Sequence, residues 1–147
     1  MNSELDGKIV LVTGGAGGIG SVISESFAEQ GAKVIIHYKH SKEKAELIAK
    51  KIEGVAMYAD LTDSAQTKEL FNDLIDKEGK IDICIANAGK YPKDYAPLWE
   101  IGIERWNNTV STNLSLTYNT SRYFLKHVAE TKKGSLVLIG STAGIYG

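Results

Sequence analysis

Cysteine is nearly absent: one in 147 residues. That excludes an internal disulfide framework, and Cys84 lies inside an apolar run, where a thiol reads as a small buried hydrophobe in a reducing compartment. No apolar stretch approaches the ~18 residues that a membrane-spanning helix needs. The opening Met1-Asn2-Ser3-Glu4-Leu5-Asp6 has neither the basic start nor the apolar stretch of a secretion signal. An excess of either charge is also missing: 17 basic and 18 acidic side chains leave a formal net charge of −1, so nothing draws the chain toward nucleic acid or a membrane surface. No metal site is read from the sequence. What remains is an ordinary globular composition, 43% apolar and 24% charged, with a cytoplasmic location as the default expectation. Residues 1–147 have the length of one domain and can bury a core without staples.

Short apolar runs rich in Val and Ile alternate with amphipathic segments of helical length, the pattern of a parallel sheet with crossover helices. The strands are expected at 8–13, 33–38, 55–59, 81–86 and 135–139. Between the first two lies a helix with apolar residues at Ile19, Val22, Ile23 and Phe27, ended by Gly31. Ser41 is placed to cap the second helix, whose inner face is Ala45, Ile48, Ala49 and Ile52. Gly54 opens the third strand. Asp63 and Gln66 resemble a capping box ahead of a third helix with Leu70, Phe71, Leu74 and Ile75 on its buried stripe. After a loop at 90–97, one long helix is expected over 103–132, carrying Trp106, Val110, Leu114, Phe124, Leu125 and Val128. The nearly continuous apolar strands imply cover on both faces, hence an α/β fold built as a three-layer αβα sandwich on a doubly wound parallel sheet. The chain stops just after the fifth strand, where a further crossover is expected, so the sequence reads as cut.

Five of the 15 glycines fall between Gly14 and Gly20, directly between the first strand and the first helix. Glycines there let the chain turn sharply and let backbone N–H groups approach a diphosphate, while the helix N-terminus adds partial positive charge. The alternative is a merely flexible turn, but the strand–turn–helix context is the one that dinucleotide binding requires. The second strand ends at Tyr38, where a carboxylate would accept hydrogen bonds from the adenosine ribose and favour NAD. Tyr38, Lys39, His40, Ser41 and Lys42 instead present cations and hydroxyls at a helix start, which suits a 2′-phosphate. NADP(H) is therefore the expected cofactor, with NAD(H) as the alternative; the bland reading of the cluster is a solvated charged turn.

Thr13-Gly14-Gly15-Ala16-Gly17-Gly18-Ile19-Gly20 matches Thr-Gly-x-x-x-Gly-x-Gly, and Ala86-Asn87-Ala88-Gly89 stands where an Asn-Asn-Ala-Gly motif would follow the fourth strand. With Asn113 in the long helix and Ser141 past the fifth strand, the chain resembles the short-chain dehydrogenase/reductase family along essentially its whole length, departing at Ala86. The resemblance implies a Rossmann fold with Thr13, Gly14, Gly15, Ala16, Gly18, Ile19 and Gly20 at the cofactor. It places Asp60 at the adenine amino group, Leu61 beside the ring, and Asn87, Ala88 and Gly89 at the cofactor too. Read without it, Asp60 is a turn residue, Ser141 turn chemistry and Asn113 an exposed helical side chain.

The implied reaction passes a hydride between the nicotinamide and a small carbonyl or alcohol substrate. Ser141 would bond the developing oxyanion, and Asn113 would hold a helix bend and a water in the proton relay. The family's general acid is a tyrosine in a Tyr-x-x-x-Lys pair roughly a dozen residues past the serine, beyond Gly147; Tyr146 lies too close to Ser141 and no lysine follows it. The chain is therefore expected to be catalytically incomplete. In general look it is nearest the 3-oxoacyl-acyl-carrier-protein reductases. The resemblance also implies a homo-oligomer, through the long helix after Ile103. Two alternatives come from other classes: a non-catalytic NAD(P)-binding sensor or scaffold, and a doubly wound methyltransferase with an adenosine cofactor.

Overall fold

The computed structural model describes residues 4–142. Five strands form one parallel sheet: β1 (Ile9–Val12), β2 (Lys33–Tyr38), β3 (Val55–Tyr58), β4 (Ile83–Ala86) and β5 (Ser135–Leu138). Their spatial order is β3-β2-β1-β4-β5. The chain runs outward from β1 to one edge and returns to pair β4 on β1's other side, in register Val10↔Ile83 and Val12↔Ile85. The carboxyl ends of β1 and β4 therefore meet where the winding reverses, the position at which such sheets leave a crevice.

Side-chain alternation explains the unbroken apolar runs. Val10, Val12, Val34, Ile36 and Ile85 point to one face, where α1 (Gly18–Glu29) and α2 (Lys42–Lys51) bring Ile23, Phe27, Ala45, Ile48 and Ala49. Ile9, Leu11, Ile35 and Cys84 point to the other, where α3 (Ser64–Glu78) and α5 (Leu116–Thr131) bring Phe71, Leu74 and Phe124. The three-layer arrangement is thus present. Burial leaves Cys84 with no exposed surface and pushes its thiol pKa up, which makes it an inert core residue.

Several expectations are corrected. The long helix is unbroken but not regular: α4 (Ile103–Val110) runs through a π-turn over Ser111–Ser115 into α5. Thr109, Thr112 and Thr117 donate hydroxyls, and Asn113 its amide, to carbonyls four residues back, competition of the kind that bends helices. The inner side of α5 is Leu116, Asn119, Thr120, Phe124 and His127, whereas Trp106, Leu114 and Leu125 are exposed. On α1, Ile19 and Val22 also face outward, and Gly20 and Ser24 take the buried positions because the helix start lies close against the turn after β1. Nor is every strand covered: Val137 and Leu138 on β5 are 43% and 56% exposed. Ser41 occupies the cap position of α2 but makes no side-chain cap bond. Asp63 does cap α3, accepting from the N–H groups of Ala65 and Gln66; the Gln66 amide donates to Asp63 Oδ2 at 3.2 Å, while its Oε1 accepts Asp60 N–H in place of the Asp63 N–H that a capping box would use. Gly31 follows α1 at φ +87°.

Candidate nucleotide-binding site

The glycine-rich turn is held by two side chains from elsewhere, Asn87 and His37. Gly14 sits at φ +61°, and a Cβ there would lie 3.1 Å from Ala88 Cα. A Cβ at Gly20 would run into the Gly14 carbonyl and come within 2.8 Å of Asn87 Nδ2. Only glycine fits either place. From the end of β1, the Thr13 hydroxyl accepts the N–H groups of Asn87 and Ala88, each at 3.0 Å, and donates to the Ile85 carbonyl. Asn87 Nδ2 returns the contact by donating to Thr13 O at 2.9 Å and Gly14 O at 3.3 Å. The turns after β1 and β4 are thereby tied together. On the β2 side, His37 accepts Gly14 N–H at Nδ1.

These ties frame a cavity of about 530 Å3 at the carboxyl ends of β1 to β4. Gly14, Ala16, Gly18, Ile19 and Gly20 form one wall, Tyr38, Lys39, His40 and Ser41 a second, Asp60 and Leu61 a third, and Asn87, Ala88 and Gly89 a fourth. Fourteen of the residues singled out in the sequence are thus brought together. Thr13 and Gly15 are buried and act from behind the lining. His37, Thr62, Lys90, Thr112 and Leu116 also line the cavity and were not singled out. The only signal for His37 was a polar residue inside an apolar strand.

The electrostatics are uneven. α1 begins on Gly17, which has no side chain to cap it, and its first turn carries no acidic residue, so the positive end of the helix meets the cavity without a carboxylate. Lys39 Nζ lies 2.6 Å from Asp60 Oδ2. Burial pushes the Asp60 carboxyl up, but hydrogen bonds from Lys39 and Thr62 outweigh it and hold the group below its usual range. His37 is driven the other way: burial lowers its pKa to about 4, against smaller opposing effects of the Ala59 carbonyl and Asp60.

The two residues expected near the chemistry do not line this cavity. Asn113 stands in the π-turn, its Oδ1 accepting Lys90 N–H at 3.0 Å and its Nδ2 donating to Lys90 O at 2.9 Å and Thr109 O at 3.0 Å. It pins the segment after β4 to the helix bend. Ser141 is exposed, three residues beyond the end of β5. Tyr146 and the residues Met1 to Ser3 lie outside the described residues. A second cavity of about 650 Å3 opens beside the first, sharing Lys90 and Thr112 and bordered by Tyr91, Asp94, Glu104 and Arg105. Among the described residues there is no cluster of three or more metal-ligating side chains. No described helix is long and apolar enough to cross a membrane.

The profile of the short chain dehydrogenases matches residues 8–147. The chain belongs to that family. Similar proteins include the NADP-dependent mannitol dehydrogenase of Alternaria alternata, 38% identical over 96% of this chain and 55% of that protein. The 3-oxoacyl-acyl-carrier-protein reductase FabG of Thermotoga maritima is 34% identical over 98% of this chain and 59% of its own length. Elsinochrome reductase 1 of Elsinoe fawcettii is 31% identical, with 97% and 54% covered. In three dimensions the chain superposes on the crystal structure of gox2181 with a TM-score of 0.90 at 26% identity, over 95% of this chain and 56% of that one. The chain therefore spans somewhat over half the length of the relatives it matches.

Proposed function

We propose that this short chain dehydrogenase binds NADP(H) in the cavity above β1, β2 and β4 and serves hydride transfer between that cofactor and a small carbonyl or alcohol substrate. The observation that carries the reading is a glycine-rich turn, with glycine required at Gly14 and Gly20, that meets an uncapped helix start at the point where the sheet's winding reverses. The residues present suit a dinucleotide. N–H groups of the turn and of the first turn of α1 would hold the diphosphate, and Asp60 and Leu61 the adenine. Asn87, Ala88 and Gly89 would stand at the nicotinamide end. When bound, the nicotinamide supplies or takes up the hydride.

Preference for the 2′-phosphate form rests on the end of β2, where Tyr38, Lys39, His40 and Ser41 offer no carboxylate. Lys39 already serves Asp60, so a phosphate at this wall would share or take over that cation. The adjoining second cavity is the proposed substrate entrance, because Lys90 and Thr112 border both spaces. Ser141 would bond the substrate oxygen, and Asn113 would keep the helix bend beside it. A 3-oxoacyl thioester is one candidate substrate, on the likeness to FabG. The exposed Ile103, Trp106, Leu114, Tyr118 and Leu125 support self-association through α4 and α5.

A second reading is a non-catalytic NAD(P)-binding sensor, favoured by the absence of Asn113 and Ser141 from the cavity wall. Calorimetric titration with NADP+, NAD+ and S-adenosylmethionine, followed by turnover assays with NADPH and a carbonyl panel, separates the readings. The dehydrogenase reading expects NADP+ at least ~10-fold tighter than NAD+, a difference of about 1.4 kcal/mol, and Lys39→Glu reversing the order. Binding of S-adenosylmethionine alone would overturn it. Turnover by a version of the chain extended with a family C-terminal segment would remove the sensor reading, and its absence would favour it.

A further inference from the structure

In the cavity wall lies a largely buried imidazole that belongs to none of the sequence motifs. His37 is 3% exposed, one residue from the end of β2. Its Nδ1 lies 3.1 Å from Gly14 N, and its Nε2 lies 2.9 Å from Ala59 O. A backbone N–H can only donate and a carbonyl can only accept, so the two contacts together require the neutral ring with its hydrogen on Nε2. The main chain of the same residue acts in parallel, its carbonyl accepting Gly15 N–H at 3.0 Å. One residue thus holds two successive N–H groups of the glycine-rich turn and, on its other side, the carbonyl just before Asp60.

We propose that His37 is a positioning residue for dinucleotide binding, setting the separation between the turn that takes the diphosphate and the Asp60–Leu61 wall that takes the adenine. The inference rests on the dinucleotide reading above. Glycine has the widest backbone freedom of any residue, and the turn over Gly14, Gly15, Ala16 and Gly17 has one bond of its own, Gly17 N–H to Gly14 O at 2.9 Å, so its placement depends largely on outside partners. His37 supplies two of them. It bridges three strands, because β2 lies between β1 and β3.

The same geometry makes the support sensitive to a proton. A hydrogen added to Nδ1 would face Gly14 N–H, and that bond would be lost. Residues 9–20, which form β1, the turn and the start of α1, carry no ionisable side chain. The ionisable groups on the other surrounding elements are Tyr38, Lys39 and His40 at the end of β2, Tyr58 on β3 and Asp60 just after it. Lys39 and Asp60 pair with each other, and Tyr38 stacks at a tilt on Tyr58. Burial keeps His37 neutral down to about pH 4.

The test is titration of NADP+ into the 147-residue chain, its His37→Asn variant and its His37→Leu variant, at about pH 7.5 and in steps down to about pH 3.5, with folding checked at each step, so that the series passes both the free and the buried imidazole values. His37→Leu is expected to bind at least ~10-fold more weakly at the higher pH. Asn carries both an acceptor and a donor and is expected to restore most of the affinity. On acidification the wild type weakens relative to His37→Asn, and taking the ratio at each pH cancels the coenzyme's own titration. Should His37→Leu not fold, as judged by circular dichroism, the His37→Asn ratio decides. His37→Leu binding as tightly as the wild type, or a ratio that stays constant with pH, overturns the proposal while leaving the dinucleotide reading intact. A wild type that binds no NADP+ overturns both.

Discussion

Strands β1 and β5 share a sheet but not an environment. Val10, Leu11 and Val12 have no exposed surface, while Val137 and Leu138 are about half exposed. Around β1 every turn is tied to another: Thr13 to Asn87 and Ala88, Asn87 to Gly14, and Gly14 to His37. Past β5 lies Ser141, exposed and off the cavity wall. The candidate nucleotide-binding end is therefore assembled by packing and hydrogen bonds within the described residues. The elements expected to act on substrate are not gathered in the same way.

The contrast can be broken most sharply on α5, where neighbouring residues fall on opposite sides. Phe124 is 1% exposed and packs with Phe71 and Leu74, so Phe124→Ala should cost about 3–5 kcal/mol in urea denaturation. Leu125, 50% exposed, should cost no more than about 0.5 kcal/mol on the same change. Equal losses would mean that the outer face of α5 is covered in solution, which sedimentation would then show as self-association.

Next in size is a pH effect centred on His37. Its folded pKa, about 4, lies below the unfolded value of 6.5, so between them the unfolded chain binds a proton that the folded chain refuses. Stability is then complete above the unfolded value and falls as pH drops through that window, by about 3 kcal/mol in all. Denaturant midpoints for the wild type and His37→Asn, measured across this range, should diverge on acidification; parallel curves would place the proton elsewhere. Thr13→Val tests the tie between the β1 and β4 turns. It strands the N–H groups of Asn87 and Ala88 and should cost about 1–3 kcal/mol, with weaker NADP+ binding alongside. The smallest contrast is between two cap positions. Asp63→Ala should lower the melting temperature slightly, whereas Ser41→Ala should leave it unchanged, because only Asp63 makes cap bonds.

Much of this architecture was legible in the sequence, since hydrophobic period and glycine placement are local signals. The strand positions, three layers and glycine-rich turn all follow from neighbours within a few residues of one another. What escaped depends on distant partners. His37 looks like a polar interruption of a strand until Gly14, 23 residues away, and Ala59 are placed against it. The π-turn in the long helix engages Lys90 through Asn113, also 23 residues away. The exposure of Ile19 and Val22 was not legible, because helical spacing defines a stripe without saying where a neighbouring turn displaces it. At the site, the residues flanking the glycine motif were readable, whereas Thr112 and Leu116 come to the cavity from the π-turn and the start of α5, far from that motif in the chain.

The central claim is that the turn after β1 and the start of α1 hold a diphosphate, and Gly18 offers the most direct test. A Cβ there meets nothing within 4 Å, so Gly18→Asp should fold normally, and a carboxylate in the first turn of a helix is itself favourable. The new charge would nonetheless occupy the place of the phosphates. Titrating NADP+ into both proteins should give binding to the wild type and none to Gly18→Asp, with the melting temperature of the variant unchanged or higher. Equal binding by the two would contradict the account.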